Sequence, residues 1–286
     1  MSAFTANHTV GEHSVSSSTK QNTSKQDFVK TGKAIDENNM DYKYIVVADG
    51  HGSGKNKDIV INFIREYDWD RKLKNKNWYE TFTLEFDEIL SKTIGVGSTM
   101  SVIRIYCDRF ECWWIGDSST RIYENGEEIW RSVDHDASNR EEHKRLIPKG
   151  YNLKPEHKPC VLTPTTIIMT PTFRVIMGPK DRIAMTRCLG HNNLTGNDIE
   201  FVTIPREESK NYKLIAASDG FWDLVCNTDT PTLSNREYDA EQLMHWISDR
   251  WHQEWTYFHS SGNQKITFPD WNVDDICVGV FMTQNP

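Results

Sequence analysis

The stretch Tyr44-Ile45-Val46-Val47-Ala48-Asp49-Gly50-His51-Gly52 runs a set of apolar β-formers straight into a carboxylate, two glycines and an imidazole. That pattern predicts a buried strand whose C-terminal end delivers functional side chains. Gly50 and Gly52 free the backbone on either side of His51, so a carbonyl and two side chains can face one small volume. An Asp-Gly pair after an apolar run is, taken alone, an ordinary turn. Here the design recurs: Leu214-Ile215-Ala216-Ala217-Ser218-Asp219-Gly220 ends on a carboxylate, and Asp274-Asp275-Ile276-Cys277-Val278-Gly279-Val280-Phe281 begins on one. Three carboxylates at strand ends suit a hard divalent cation.

The 286 residues contain no Pro/Gly/Ser-rich linker, which predicts one domain, and ten Trp with twelve Phe supply ample apolar surface for its core. A formal net charge of −8 argues against general affinity for nucleic acid or anionic membrane and suits a cation-binding cleft. The six cysteines show neither a C-x-x-C pair nor a clustered His partner at zinc-finger spacing, which predicts free thiols and a reducing, cytoplasmic setting. No apolar run approaches membrane-spanning length, and no secretory signal opens the chain. Residues 1–27, polar and almost without apolar side chains, are expected to form a flexible tail or an extended edge segment, leaving 28–286 as the folded domain.

Helical spacing of Ile59, Val60, Phe63, Ile64 and Tyr67, then of Trp78, Phe82, Phe86, Ile89 and Leu90, predicts two amphipathic helices covering one face of a sheet. Strands at 100–106 and 111–115 read as a hairpin, and Asn125-Gly126 marks a second hairpin between 121–123 and 128–130. Helices are expected over 134–147 and 239–258. The prolines between 148 and 179 predict a long irregular surface loop, and loops of that length are often lids. Gly95-Val96-Gly97-Ser98-Thr99 lacks the Gly-Lys-Ser/Thr ending and the preceding strand of a nucleotide loop, and reads as the start of a strand.

Taken in order, Val47-Ala48-Asp49-Gly50-His51-Gly52, Gly97-Ser98-Thr99, Ile115-Gly116-Asp117-Ser118, Asp134-His135, Ala184-Met185-Thr186-Arg187-Cys188-Leu189-Gly190, Ala217-Ser218-Asp219-Gly220-Phe221-Trp222-Asp223 and Asp274-Asp275-Ile276 form a set. From about residue 33 to 281 the chain resembles the metal-dependent type 2C Ser/Thr protein phosphatases. The resemblance implies an α+β fold, a four-layer α-β-β-α sandwich with two central, mainly antiparallel sheets flanked by helices. It makes Asp49 the carboxylate bridging two Mg²⁺ or Mn²⁺ ions, the carbonyl of Gly50 a ligand to one, and Asp219 and Asp274 ligands to the other. Asp117 and Asp223, with Asp219, match the positions of a weaker third ion, and His51 matches the general acid for the departing Ser or Thr oxygen. Asp275, beside Asp274, is expected to support the loop.

Lys33 stands four residues before Glu37, where the family usually has an Arg that grips the substrate phosphate. Asn38 is read at the position of a carboxylate that holds metal-bound water, and His191 replaces the acid of the usual Leu-Gly-Asp. The expected protein is thus a monomeric cytoplasmic phosphatase acting on phosphorylated Ser/Thr proteins, with no nucleic-acid or membrane partner. The competing expectation, drawn from Lys33 and Asn38, is a non-catalytic relative serving as a phosphoprotein-binding or regulatory module.

Overall fold

In the computed structural model, which describes residues 13–22, 24–176, 182–258 and 262–283, the run 44–48 lies fully buried within one long strand. The strands, in chain order, are β1 (Ser14–Lys20), β2 (Asp27–Ile35), β3 (Asp41–Gly52), β4 (Val96–Ser98), β5 (Met100–Ile105), β6 (Arg109–Ile115), β7 (Ser119–Glu124), β8 (Glu127–Arg131), β9 (Asn152–Thr163), β10 (Thr166–Ile176), β11 (Arg182–Ile183), β12 (Leu189–Gly190), β13 (Glu200–Pro205), β14 (Tyr212–Ala217), β15 (Trp255–Phe258), β16 (Gln264–Ile266) and β17 (Ile276–Met282). The helices are α1 (Ile59–Glu66), α2 (Trp69–Lys72), α3 (Trp78–Leu90), α4 (Arg140–Leu146), α5 (Asp219–Trp222), α6 (Thr230–Ser234) and α7 (Ala240–His252). No helix among the described residues is long and apolar enough to cross a membrane.

One central sheet runs β12-β4-β3-β5-β6-β13, with β2 also pairing β3; the other runs β1-β17-β14-β7-β8. The period-two alternation of β3 places it between two cores. Tyr44, Val46 and Ala48 pack with Ile61, Ile64, Phe82 and Phe86 of α1 and α3. Ile45 and Val47 pack with Leu214, Cys277 and Phe281 of the facing sheet. On that sheet's outer side, Leu243, Ile247 and Trp251 of α7 cover Ile215, Val278 and Val280. This is the expected α-β-β-α sandwich. A third sheet, β11-β10-β15-β16 with β9 on β10, lies beside it.

Several expectations are corrected. The segment 14–20 is no flexible tail but the extended edge segment that was the other expectation: β1 runs antiparallel to β17 from Ser14 opposite Met282 to Lys20 opposite Ile276. A composition too polar to build core can still complete a sheet, because the ladder uses backbone groups. Residues 1–12 lie outside the described residues. The proline-rich stretch is the β9–β10 hairpin rather than an irregular loop. Pro155 and Pro159 sit on the edge strand β9, and Pro171 falls between the stretches of β10 that pair β15 and β11, so no second ladder loses a donor. Pro179 lies outside the described residues. The charged helix is confined to Arg140–Leu146, with Asn139 accepting from the Glu141 amide at 2.9 Å as its N-cap. Asp239 and Gln242 form a capping box that starts α7. That helix stops at His252, and the aromatic run Trp255–Phe258 becomes β15.

Candidate functional site

The carboxylates arrive at one end of the two central sheets on chain ends of different elements. Asp49 closes the apolar part of β3; Asp219 follows β14, Asp274 precedes β17, and Asp117 follows β6. Asp223 lies one helical turn beyond Asp219, its amide donating to the Asp219 carbonyl at 2.7 Å. Gly50 is tightly surrounded: a Cβ there would lie 3.0 Å from the Gln26 Cβ and 3.1 Å from the Ile61 Cβ, so its neighbours would have to give way. A cleft of about 810 Å³ is lined by Asp49, Gly50, His51, Asp219, Asp223 and Asp274. Sequence reading named all of these.

It missed Asp27. β2 and β3 form a hairpin whose register places Asp27 opposite Asp49 and Ile35 opposite Asp41. Asp27 is buried, and its Oδ2 accepts from the Ser218 Oγ at 2.7 Å. The connection that precedes it is held by Asp275, whose carboxylate accepts from the Asn22 amide at 2.5 Å, the Ser24 hydroxyl at 2.5 Å and the Gln26 amide at 2.9 Å. Asp275 therefore supports a loop, as expected, although the loop is the one that delivers Asp27.

The same hairpin removes Lys33 from the site. Lys33 is exposed, pairs with Lys43, and stands six residues along β2 from Asp27, roughly 20 Å away at about 3.3 Å per residue. Glu37 and Asn38 lie in the turn beyond it. The segment just before a strand reaches the strand's far end only through a crossover; here a short turn leaves it at the wrong end. Among the described residues, the cations that line the cleft are Arg174 of β10 and Arg182 of β11, both held by Glu156 of β9 at 3.2 and 2.8 Å.

Burial and mutual repulsion govern the acids. Burial and then Asp219 hold Asp49 and Asp117 well above the usual carboxylate range, and lift Asp223 to about 7 and Asp274 to about 8. Burial is also the main cause that brings Asp27 to about 7, against the bond from Ser218. Oδ1 atoms of Asp117 and Asp219 are buried and have no hydrogen-bond partner among the described residues. An assembly of this kind is stable only when protonated or neutralised, and with oxygen ligands alone it fits hard divalent ions. Lys158 supplies part of the compensation: its Nζ lies 3.6 Å from Asp136, and Asp223, Asp136, Asp117 and Asp134 together outweigh burial and raise its pKa.

His51 has a partner that the sequence did not reveal. Its ring stacks on that of His191 with centroids 5.0 Å apart, and the two Nε2 atoms are 2.8 Å apart. Burial and then the neighbouring imidazole lower His51 to about 3.

The protein phosphatase 2C family profile matches residues 11–251. The chain is 26% identical over 209 residues to a probable protein phosphatase 2C 45 of Oryza sativa subsp. japonica, covering 68% of this chain and 66% of that protein. To a probable protein phosphatase 2C 76 of Arabidopsis thaliana it is 24% identical over 220 residues, covering 71% and 46%. It thus spans between about half and two thirds of the length of these relatives. Among solved structures, the S. agalactiae serine/threonine phosphatase superposes with a TM-score of 0.61 at 16% identity, over 96% of this chain and 100% of that one. The catalytic domain of the phosphatase PstP, in complex with 2 manganese ions, gives a TM-score of 0.54 at 16% identity over 96% and 99%. A profile running across most of the chain and a shared sandwich agree with the carboxylates at its end: this protein belongs to the protein phosphatase 2C family.

Proposed function

We propose that the protein is a metal-dependent protein Ser/Thr phosphatase that hydrolyses phosphomonoesters by direct attack of water, without a covalent enzyme intermediate. The observation that carries this reading is the convergence of Asp49, Asp219 and Asp274 from three elements on one cleft, with Asp27 paired opposite Asp49 and with charges that repel one another unless neutralised. In this reading Asp49 bridges two ions, the Gly50 carbonyl serves one, and Asp219 and Asp274 the other; Asp117 and Asp223, with Asp219, form a weaker third site. Mg²⁺ or Mn²⁺ bound there would lower the pKa of a shared water and offset the charge on the phosphoryl oxygens.

The chain's own residues do the rest. Asp27 is a positioning residue, fixed by Ser218 beside Asp49. We assign His51, whose Nε2 lies 2.8 Å from that of His191, as the proton donor to the departing Ser or Thr oxygen. Arg174 and Arg182, prearranged by Glu156, present planar guanidinium groups to the substrate phosphate, the role that sequence reading gave to Lys33. A non-catalytic role was inferred from Lys33 and Asn38, and both lie at the far end of β2, so we favour an active enzyme.

Hydrolysis of an aryl phosphate by the purified protein tests this directly. Activity should require Mg²⁺ or Mn²⁺, vanish on chelation and return on re-addition. Asp219→Asn should remove most of it even at saturating metal, and near-normal turnover in that variant would refute the assignment.

A further inference from the structure

Cys188, His191 and His51 each place one ligand atom within 4.8 Å of the others, beside the cleft that His51 and His191 line. We propose that these three residues form a second metal site, selective for a soft divalent transition-metal ion of the Zn²⁺ type and chemically distinct from the all-oxygen centre. Two imidazoles and a thiolate are the ligands that Zn²⁺ takes in tetrahedral sites, and they are poor ligands for Mg²⁺. A tetrahedral ion holding nitrogens at about 2.0–2.1 Å and sulfur at about 2.3 Å sets its ligands roughly 3.3–3.6 Å apart. The 2.8 Å between the two Nε2 atoms and the 4.8 Å limit for the set bracket that spacing, so side-chain rotations moving atoms by about 1 Å complete it.

The backbone is shaped to bring the triad together. Gly97 faces it without a side chain: a Cβ there would lie 2.6 Å from the His51 Nε2 and 2.8 Å from the His191 Cδ2. Gly190, at φ +97°, sits against the Val96 carbonyl, where a Cβ would come within 2.5 Å. His191, Asn192 and Asn193 follow with φ of 48°, 52° and 56°, three consecutive side-chain-bearing residues in the left-handed region. L-residues visit that region singly, so a run of three persists only where its surroundings over-determine it. The pairing of β12 with β4 and the bond from the Asn192 amide to the Thr93 Oγ1 at 3.0 Å do so here. The outcome of that strain is an imidazole turned onto His51 beside a buried thiol.

On binding, Cys188 gives up its thiol proton to solvent and the donating imidazole moves its hydrogen to Nδ1, so that both Nε2 lone pairs and the thiolate face the ion. His51 and His191 line the cleft, so the ion would be reached from there. Occupancy would withdraw His51 from the departing oxygen, so Zn²⁺ should inhibit hydrolysis; that consequence rests on the phosphatase reading, whereas the binding itself does not.

The test is a Co²⁺ titration of the full chain after chelation and dialysis, in saturating Mg²⁺ to occupy the carboxylates. One equivalent should give the near-ultraviolet thiolate-to-cobalt charge-transfer band with strong tetrahedral d–d absorption, and Zn²⁺ should displace both. Cys188→Ser should abolish the charge-transfer band, His191→Asn should weaken Co²⁺ binding by more than about tenfold, and Cys107→Ser should change neither; circular dichroism reports whether each variant folds. Wild-type protein with no charge-transfer band overturns the proposal whatever the variants do, as does a band that survives in folded Cys188→Ser. Protein that shows the band but hydrolyses no aryl phosphate sinks the phosphatase reading and leaves this site standing.

Discussion

Replacing Asp27 by Asn should stabilise the metal-free protein and weaken its grip on metal at the same time, a pairing of signs that a structural role alone would not give. Asn keeps the shape and can still accept from the Ser218 Oγ, so the change removes charge and little else. Asp27 is 3% exposed, and burial, with Asp219 and Asp275 nearby, lifts it from 3.8 to about 7. A carboxylate raised in the folded state holds its proton more tightly there than in the unfolded chain, so its contribution is lost as pH rises between about 4 and 7. At about 1.36 kcal/mol per tenfold change in proton affinity, leaving it ionised at pH 8 costs up to about 4 kcal/mol, an upper bound because Asp49 shares the proton.

Asp27→Asn should therefore recover on the order of 1–4 kcal/mol at pH 8, or about 2–4 °C of melting temperature per kcal/mol. The gain should shrink towards pH 4, where the carboxyl is protonated in both states. Mn²⁺ affinity should fall roughly 10–100-fold, the usual effect of losing a residue that orients a metal ligand. Thermal melts of chelator-treated protein at pH 5 and pH 8, with and without Mn²⁺, read both effects. A variant that melts lower than the wild type at pH 8 without metal, or binds Mn²⁺ equally well, would refute this account of the acid cluster.

Two further outcomes follow from the placement of the basic residues and of β1. Lys33→Ala should leave kcat/KM within about twofold, while Arg174→Ala should raise KM about tenfold, the loss of one charge-assisted hydrogen bond; steady-state kinetics on an aryl phosphate separates the two, and the opposite ranking would restore Lys33 to the site. Deleting residues 1–20 removes the β1–β17 ladder and the bond from the Ala240 amide to the Ser16 Oγ at 3.1 Å. The melting temperature should fall by several degrees, on the order of 3 kcal/mol of net backbone pairing, and an unchanged melt would mean that β1 contributes nothing.

What was legible in the sequence was what local pattern controls. Apolar runs ending on Asp49 and Asp219 and beginning after Asp274 located three acids at strand ends; the helical spacing of α1 and α3 and the Asn125-Gly126 turn located the layers around them. Asp27 was not legible as a ligand neighbour because its position depends on hairpin register. With the turn centred on Asn38, residue i pairs with residue 76 − i, which puts Asp27 against Asp49 and sends Lys33 to the other end. That relation was available in the sequence, and an error in it carried two residues to the wrong end of the sheet. The meeting of Cys188 and His191 with His51 was harder to see, because it requires β12 to pair β4 while β4 pairs β3.

The charges of the site divide along the same line. Its negative charge comes from the ends of central strands, whose apolar cores announce themselves. Its positive charge comes from the β9–β10 hairpin and the adjoining β11, where prolines obscured the strands. Residues 154, 156 and 158 alternate onto one face of β9, with Arg174 opposite Lys154 on β10. From that face Lys158 reaches Asp136 while Glu156 holds Arg174 and Arg182 at the cleft. This hairpin thus offsets the acids at the expected third-metal position and, through Glu156, holds Arg174 and Arg182 at the cleft. Lys158, 3.6 Å from Asp136 and in the field of Asp223 and Asp117, would compete with a cation at the proposed third site, which should therefore be the weakest of the three.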